Sequence, residues 1–176
     1  EAPELYGVHP FRHYTQGRAV LSNIDVEPAV QCMTNSSRAT CQNGLKNNGW
    51  YQGIMIAPLL GLTELTQSMV LERARTPPAT GYRFPGFAPA EQDYEPSADH
   101  YANLNTALQW MILQPADDEA SSMILFGAWP CEWDVDFKLH GPKNTIVEGI
   151  LKGGKLLSLK VTPSTRAEDV INVLKC

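Results

Sequence analysis

The apolar residues of this chain change their spacing at Pro115, and that change limits the folds open to it. Before Pro115 they recur every three to four positions, the period of a helix with one buried stripe. After Ser122 they alternate, the period of a half-buried strand. With 176 residues, 43% of them hydrophobic, the chain can bury a core without help from a metal. The reading is an α+β chain: residues 1–115 form a partial (α/α) helical-hairpin region and residues 116–176 a small antiparallel β domain.

Within the helical part, residues 50–75 predict a hairpin of two helices. Trp50, Tyr51, Ile54, Met55 and Leu59 make the first stripe, and Leu62, Leu65 and Met69 the second. Pro58 kinks or ends the first helix, Gly61 suits its stop and Thr63 suits the next N-cap. Residues 76–97 are rich in Pro, Gly and aromatics and predict a long loop, either functional or a stiff surface connection. The clearest helix runs over residues 99–114, with Tyr101, Leu104, Leu108, Met111 and Ile112 on one face. The first 45 residues carry weaker signals, although Pro28 suits a helix opening.

In the β part, Met123 to Phe126 is a short apolar run. Val135, Phe137 and Leu139 alternate with Asp134, Asp136, Lys138 and His140. Two further β-prone runs, 145–151 and 156–161, flank Gly153-Gly154, which reads as a tight hairpin turn. A last short helix is expected around residues 168–174.

The net charge of −5 argues against a nucleic-acid partner, which requires a basic surface. No apolar run approaches the roughly 20 residues of a membrane helix. The opening Glu1-Ala2-Pro3 fits a mature product or a trimmed fragment. Four cysteines, Cys32, Cys41, Cys131 and Cys176, form an even set, and Asn35-Ser36-Ser37 is a glycosylation sequon. Together they predict disulfide bonds and a secreted chain, the alternative being four free thiols. Closeness in sequence favours Cys32 with Cys41, which leaves Cys131 for Cys176. A bond from Cys176 to another chain is also open.

The densest polar cluster lies at the entry to the clear helix: Glu91, Asp93, Glu95, Asp99 and His100, with Tyr94 and Tyr101 interleaved. Clustered carboxylates push one pKa up and hold another ionised, as glycoside hydrolysis requires, and aromatic faces suit sugar rings. The plainer reading is that Asp99 caps its helix. Asp134 and Asp136 share the solvent face of their strand. His9 and His13 stand four apart, but Pro10 between them argues against a helical metal site, so no metal and no cofactor is assigned.

The string Trp129-Pro130-Cys131-Glu132-Trp133-Asp134-Val135-Asp136-Phe137-Lys138-Leu139 resembles a run found in large six-hairpin glycosidases similar to glycoside hydrolase family 95, the α-L-fucosidase group. Glu4-Leu5-Tyr6 with His9-Pro10-Phe11-Arg12, Asn48-Gly49-Trp50-Tyr51-Gln52 with Ala57-Pro58-Leu59-Leu60-Gly61-Leu62, and Val147-Glu148-Gly149 with Gly154-Lys155 and Val161-Thr162-Pro163 agree with it, so the likeness spans nearly the whole chain. The resemblance implies an (α/α)6 barrel followed by a β domain, and an inverting hydrolase of a terminal sugar such as fucose. It implies Asp99 as catalytic base, by its offset from Ile112-Leu113-Gln114. Asp99-His100-Tyr101 departs from the family's Asp-Gly-Asn. His100, Tyr94, Tyr101 and Trp50 are the expected sugar-pocket residues. Residues 1–115 cannot hold six helical hairpins, so the general acid is expected on a second polypeptide. The rival expectation is a carbohydrate-binding, lectin-like protein without catalysis.

Overall fold

A computed structural model of the chain describes residues 2–35, 37, 39–47, 51–75, 99–116 and 121–176; of residues 39, 40, 43, 99 and 100 it describes the backbone alone. The helices are α1 (Gln16–Ser22), α2 (Glu27–Asn35), α3 (Ala39–Gln42), α4 (Gly53–Leu59), α5 (Thr63–Arg75) and α6 (Asp99–Ile112). The strands are β1 (Leu113–Pro115), β2 (Met123–Leu125), β3 (Val135–Gly141), β4 (Thr145–Lys152), β5 (Lys155–Thr162) and β6 (Val170–Asn172). The chain is therefore α+β.

Local chemistry sets most of the helix ends. Thr15 accepts a hydrogen bond from the Arg18 amide at 3.3 Å and caps α1, whose far end closes on Asn23 in the left-handed region. Pro28 stands in the first turn of α2, where its missing N–H costs nothing. Gly61, at φ +72°, ends the turn after α4 as its sequence suggests. Thr63 is the first residue of α5 rather than its cap.

α4 is buried on every side, from Gly53 to Leu59, and not along a single stripe. It packs against both α5 and α6, which leaves it no solvent face. Its N-terminal end adjoins the short 3-10 turn Asn43–Leu45, where Gly53 lies against the backbone of Gly44. α6 turns Leu104, Ala107, Met111 and Ile112 into the core, with Leu108 half-buried.

α6 ends at Ile112, two residues before the expected end, because residues 113–115 leave the helix to pair with β2. The freed carbonyls of Met111 and Ile112 accept amide hydrogens from Ala128 and Phe126, at 3.3 and 2.6 Å. The side chain of Gln114 then turns back to donate to the carbonyls of Trp110 and Pro58, each at 3.0 Å, and so ties the ends of α6 and α4 together.

β1, β2 and β6 form one sheet in that order. Its β1–β2 pair is antiparallel, but β2 and β6 run parallel, so the β part is mixed rather than wholly antiparallel. The predicted final helix is replaced by the 3-10 turn Ser164–Asp169 and then by β6. Val170 and Ile171 are β-branched and pair with Met123 and Ile124, a tertiary partner that residues 168–174 alone do not reveal.

β3, β4 and β5 form an antiparallel meander. Gly153 and Gly154 turn the β4–β5 hairpin at φ +55° and +71°. Inward-facing Phe137, Val147 and Leu151 join the same core as α4 and α6, where Phe137 meets Phe126 edge-on at 5.6 Å. On the outer face, Glu148 pairs with Lys138 at 3.0 Å and Lys160 at 3.3 Å. The two ammonium groups, Lys138 first, hold its carboxyl below the usual value.

Cys32 is bonded to Cys41 and Cys131 to Cys176, the pairing that closeness in sequence favours. Two such bonds fit an oxidising, extracytoplasmic environment. Among the described residues no helix is long and apolar enough to cross a membrane.

Candidate functional site

Asp99 is the first residue of α6 and His100 the second. Tyr101 follows on the same turn and is half-buried. Asn103 donates to the Tyr51 carbonyl at 3.4 Å, which brings the start of α6 to the chain segment that leads into α4. α4 and α5 support α6 from behind. Position 99 thus stands at the N-terminal end of a helix that packs against α4 and α5.

Trp50 and Tyr94 lie outside the described residues, as do Glu91, Asp93, Glu95 and the loop predicted over residues 76–97. The side chains of Asp99 and His100 lie outside them too. Asn35 closes α2 and is exposed, its Nδ2 donating to Gln31 Oε1 at 3.0 Å.

Among the described residues, cavities stand elsewhere, and two of them are well defined. The larger, about 550 Å³, lies beside the Cys32–Cys41 bond between α2 and the N-terminal turns, with Val8, Tyr14 and Asn35 on its walls. The smaller, about 390 Å³, opens at the far end of α6, between the first turns of α5 and the connection from β2 to β3. Gln67 and Glu132 meet at its edge, Nε2 to Oε1, at 2.5 Å. Spacing alone does not forecast this pair, since 65 residues separate its members.

The tryptophan-rich string forms a joint. Trp129 donates its indole N–H to the Trp133 carbonyl at 2.8 Å, and the two rings meet edge-on at 5.5 Å. Cys131 is bonded to the last residue of the chain. Asp134 is exposed, yet its Oδ1 accepts the Gly153 amide at 2.8 Å and so fixes the β4–β5 turn. One short segment thereby holds α5, the meander and the C-terminal tail together.

His9 stands edge-on to Trp110 at 5.4 Å, and the Arg12 guanidinium lies over the same indole at 5.3 Å. Burial first, and then the Arg12 charge, lowers the His9 pKa. His13 stacks on Phe11. Among the described residues no three His, Cys, Asp or Glu side chains gather as a metal site would require.

Comparison of the chain with protein-family models, with curated proteins and with solved structures finds no match.

Proposed function

We propose that this chain is the C-terminal part of a secreted, inverting glycoside hydrolase that removes a terminal sugar, in the manner of an α-L-fucosidase, with Asp99 as its base. The observation that carries the reading is the position of Asp99, first in α6 and backed by the helix pair α4 and α5. The resemblance of the tryptophan-rich string to six-hairpin glycosidases supplies the reaction class.

In this reaction an ionised Asp99 takes a proton from water as the water oxygen attacks the anomeric carbon. The glycosidic bond breaks on the opposite face, and a general acid protonates the departing oxygen. That acid is contributed by polypeptide beyond these 176 residues. Tyr101, His100, Tyr94 and Trp50 shape the sugar pocket, and the two disulfides suit a secreted enzyme.

The test is an intact mass of the native sample, followed by assay on aryl α-L-fucosides. A companion chain and an active complex are expected. Asp99→Asn should lower turnover by at least about a hundredfold, the usual contribution of a positioned base, while leaving the complex assembled. Full activity in that variant defeats the assignment of the base. A lone 19.4 kDa species that cleaves no aryl glycoside defeats the enzyme reading. Glycan binding without turnover would then favour the lectin-like alternative.

A further inference from the structure

We infer that Asn35 carries an N-linked glycan and that its innermost sugar lies in the larger cavity, beside the Cys32–Cys41 bond. The inference rests on the sequon, on disulfides that fit an oxidising secretory route and on the geometry of α2. It does not depend on Asp99 as base.

The acceptor is open to a transferase. Asn35 is the last residue of α2, and both it and Ser37, the hydroxyl residue of the sequon, are exposed. The residue between them is Ser36 and not proline, as the sequon requires. The donor is a lipid-pyrophosphoryl oligosaccharide. Asn35 Nδ2 attacks the anomeric carbon of its first sugar. The new C–N bond forms, the C–O bond to the lipid pyrophosphate breaks, and Nδ2 gives up one proton.

The side chain is aimed before the transfer. Glu27, Gln31 and Asn35 stand four apart on α2. Gln31 Nε2 donates to Glu27 Oε1 at 2.5 Å, and Asn35 Nδ2 donates to Gln31 Oε1 at 3.0 Å. Nδ2 has two hydrogens, so one remains for Gln31 after a sugar replaces the other. The linked amide is thus held at the cavity wall.

The cavity suits such an occupant. Its volume of about 550 Å³ lies within the range of small-ligand sites. Pro28, Cys32 and Asn35 line it along one stripe of α2, so it follows that helix for about 10 Å. The other wall carries Tyr14, which is 49% exposed and offers an open aromatic surface to the C–H face of a pyranose. Gly7 gives that ring its place, since a Cβ there would come within 2.7 Å of Tyr14 Cδ2. Glu4 is the one charged side chain among the described residues of the walls, which favours a neutral occupant over an anion. A sugar already tethered at Asn35 also loses less freedom on docking than a free ligand does.

The test uses the whole chain secreted from a eukaryotic host. Its mass should exceed 19.4 kDa by a glycan that peptide:N-glycosidase releases, with Asn35 converted to Asp. Ser37→Ala should lose the glycan and Ser37→Thr should keep it. Endoglycosidase trimming to one N-acetylglucosamine isolates the first sugar. That single sugar should raise the urea midpoint above that of Ser37→Ala and show NMR contacts to the Tyr14 ring. In a Tyr14→Ala background the glycan should still be attached, but the rise in midpoint should be lost. The inference is overturned if residue 35 emerges unmodified, or if the single sugar leaves the midpoint where Ser37→Ala has it. It is overturned as well if Tyr14→Ala preserves the whole rise. Asp99→Asn should alter none of these readouts, so failure here and failure of the enzyme reading are separate results.

Discussion

The Cα of Gly17 lies directly against the backbone of Ala116, where a Cβ would collide with both the Ala116 Cα and its carbonyl oxygen. This contact seats α1 on the residue that follows β1, so it joins the N-terminal segment to the first sheet. Gly17→Ala should destabilise the chain by about 1–3 kcal/mol, the usual range for overpacking, because backbone cannot rotate out of the way as a side chain can. A urea midpoint equal to that of the parent would show that the two segments separate freely.

Gln114 is fully buried and donates to the carbonyl of Trp110 as well as to that of Pro58. Gln114→Leu keeps the apolar volume but removes both bonds. The Pro58 carbonyl keeps the Gly61 amide at 3.1 Å, so a loss of about 1–3 kcal/mol is expected for the two hydrogen bonds together. Gln114→Glu should be worse near neutrality, since it buries a charge facing two oxygen acceptors. Thermal unfolding of the three proteins orders them.

The neutral form of His9 is favoured in the folded chain, by burial and then by Arg12. Above the ordinary histidine pKa of about 6.5 its contribution to stability is whole. As the pH falls below that value the unfolded chain takes up the proton first, and stability declines until the lowered folded pKa is passed. The difference in denaturation midpoint between the parent and His9→Gln should therefore change across this window and stay flat above it. A difference that is constant at every pH would assign no proton linkage to His9.

The two disulfides close loops of different size, with sequence separations of 45 and 9. Chain entropy predicts about 4 kcal/mol from Cys131–Cys176 and about 3 kcal/mol from Cys32–Cys41. Paired Cys→Ser variants, unfolded in urea, measure both. Equal losses would mean that loop length does not set their worth.

The sequence made the periodic elements legible. The alternation around Phe137, the paired glycines at 153 and 154, and the stripe of α6 each survive folding because their signals are local. What it concealed depended on distant partners. β1 takes the last residues of a helix-like run because β2 is there to pair with them. β6 is a strand for the same reason. α4 is buried on all sides because two helices flank it. Of the candidate sites, position 99 at a helix start was readable from its surroundings, whereas the Gln67–Glu132 pair and the cavity beside it join segments far apart in the chain.

Asp134 fastens the Gly153 turn, Trp129 props Trp133 and Cys131 holds the chain end, so the tryptophan-rich segment is occupied with architecture. Proteins that share this string would be expected to share the latch between helical layer and sheet, whatever reaction each performs. Divergence in chemistry should then be sought at the start of α6, and likeness in construction at its end.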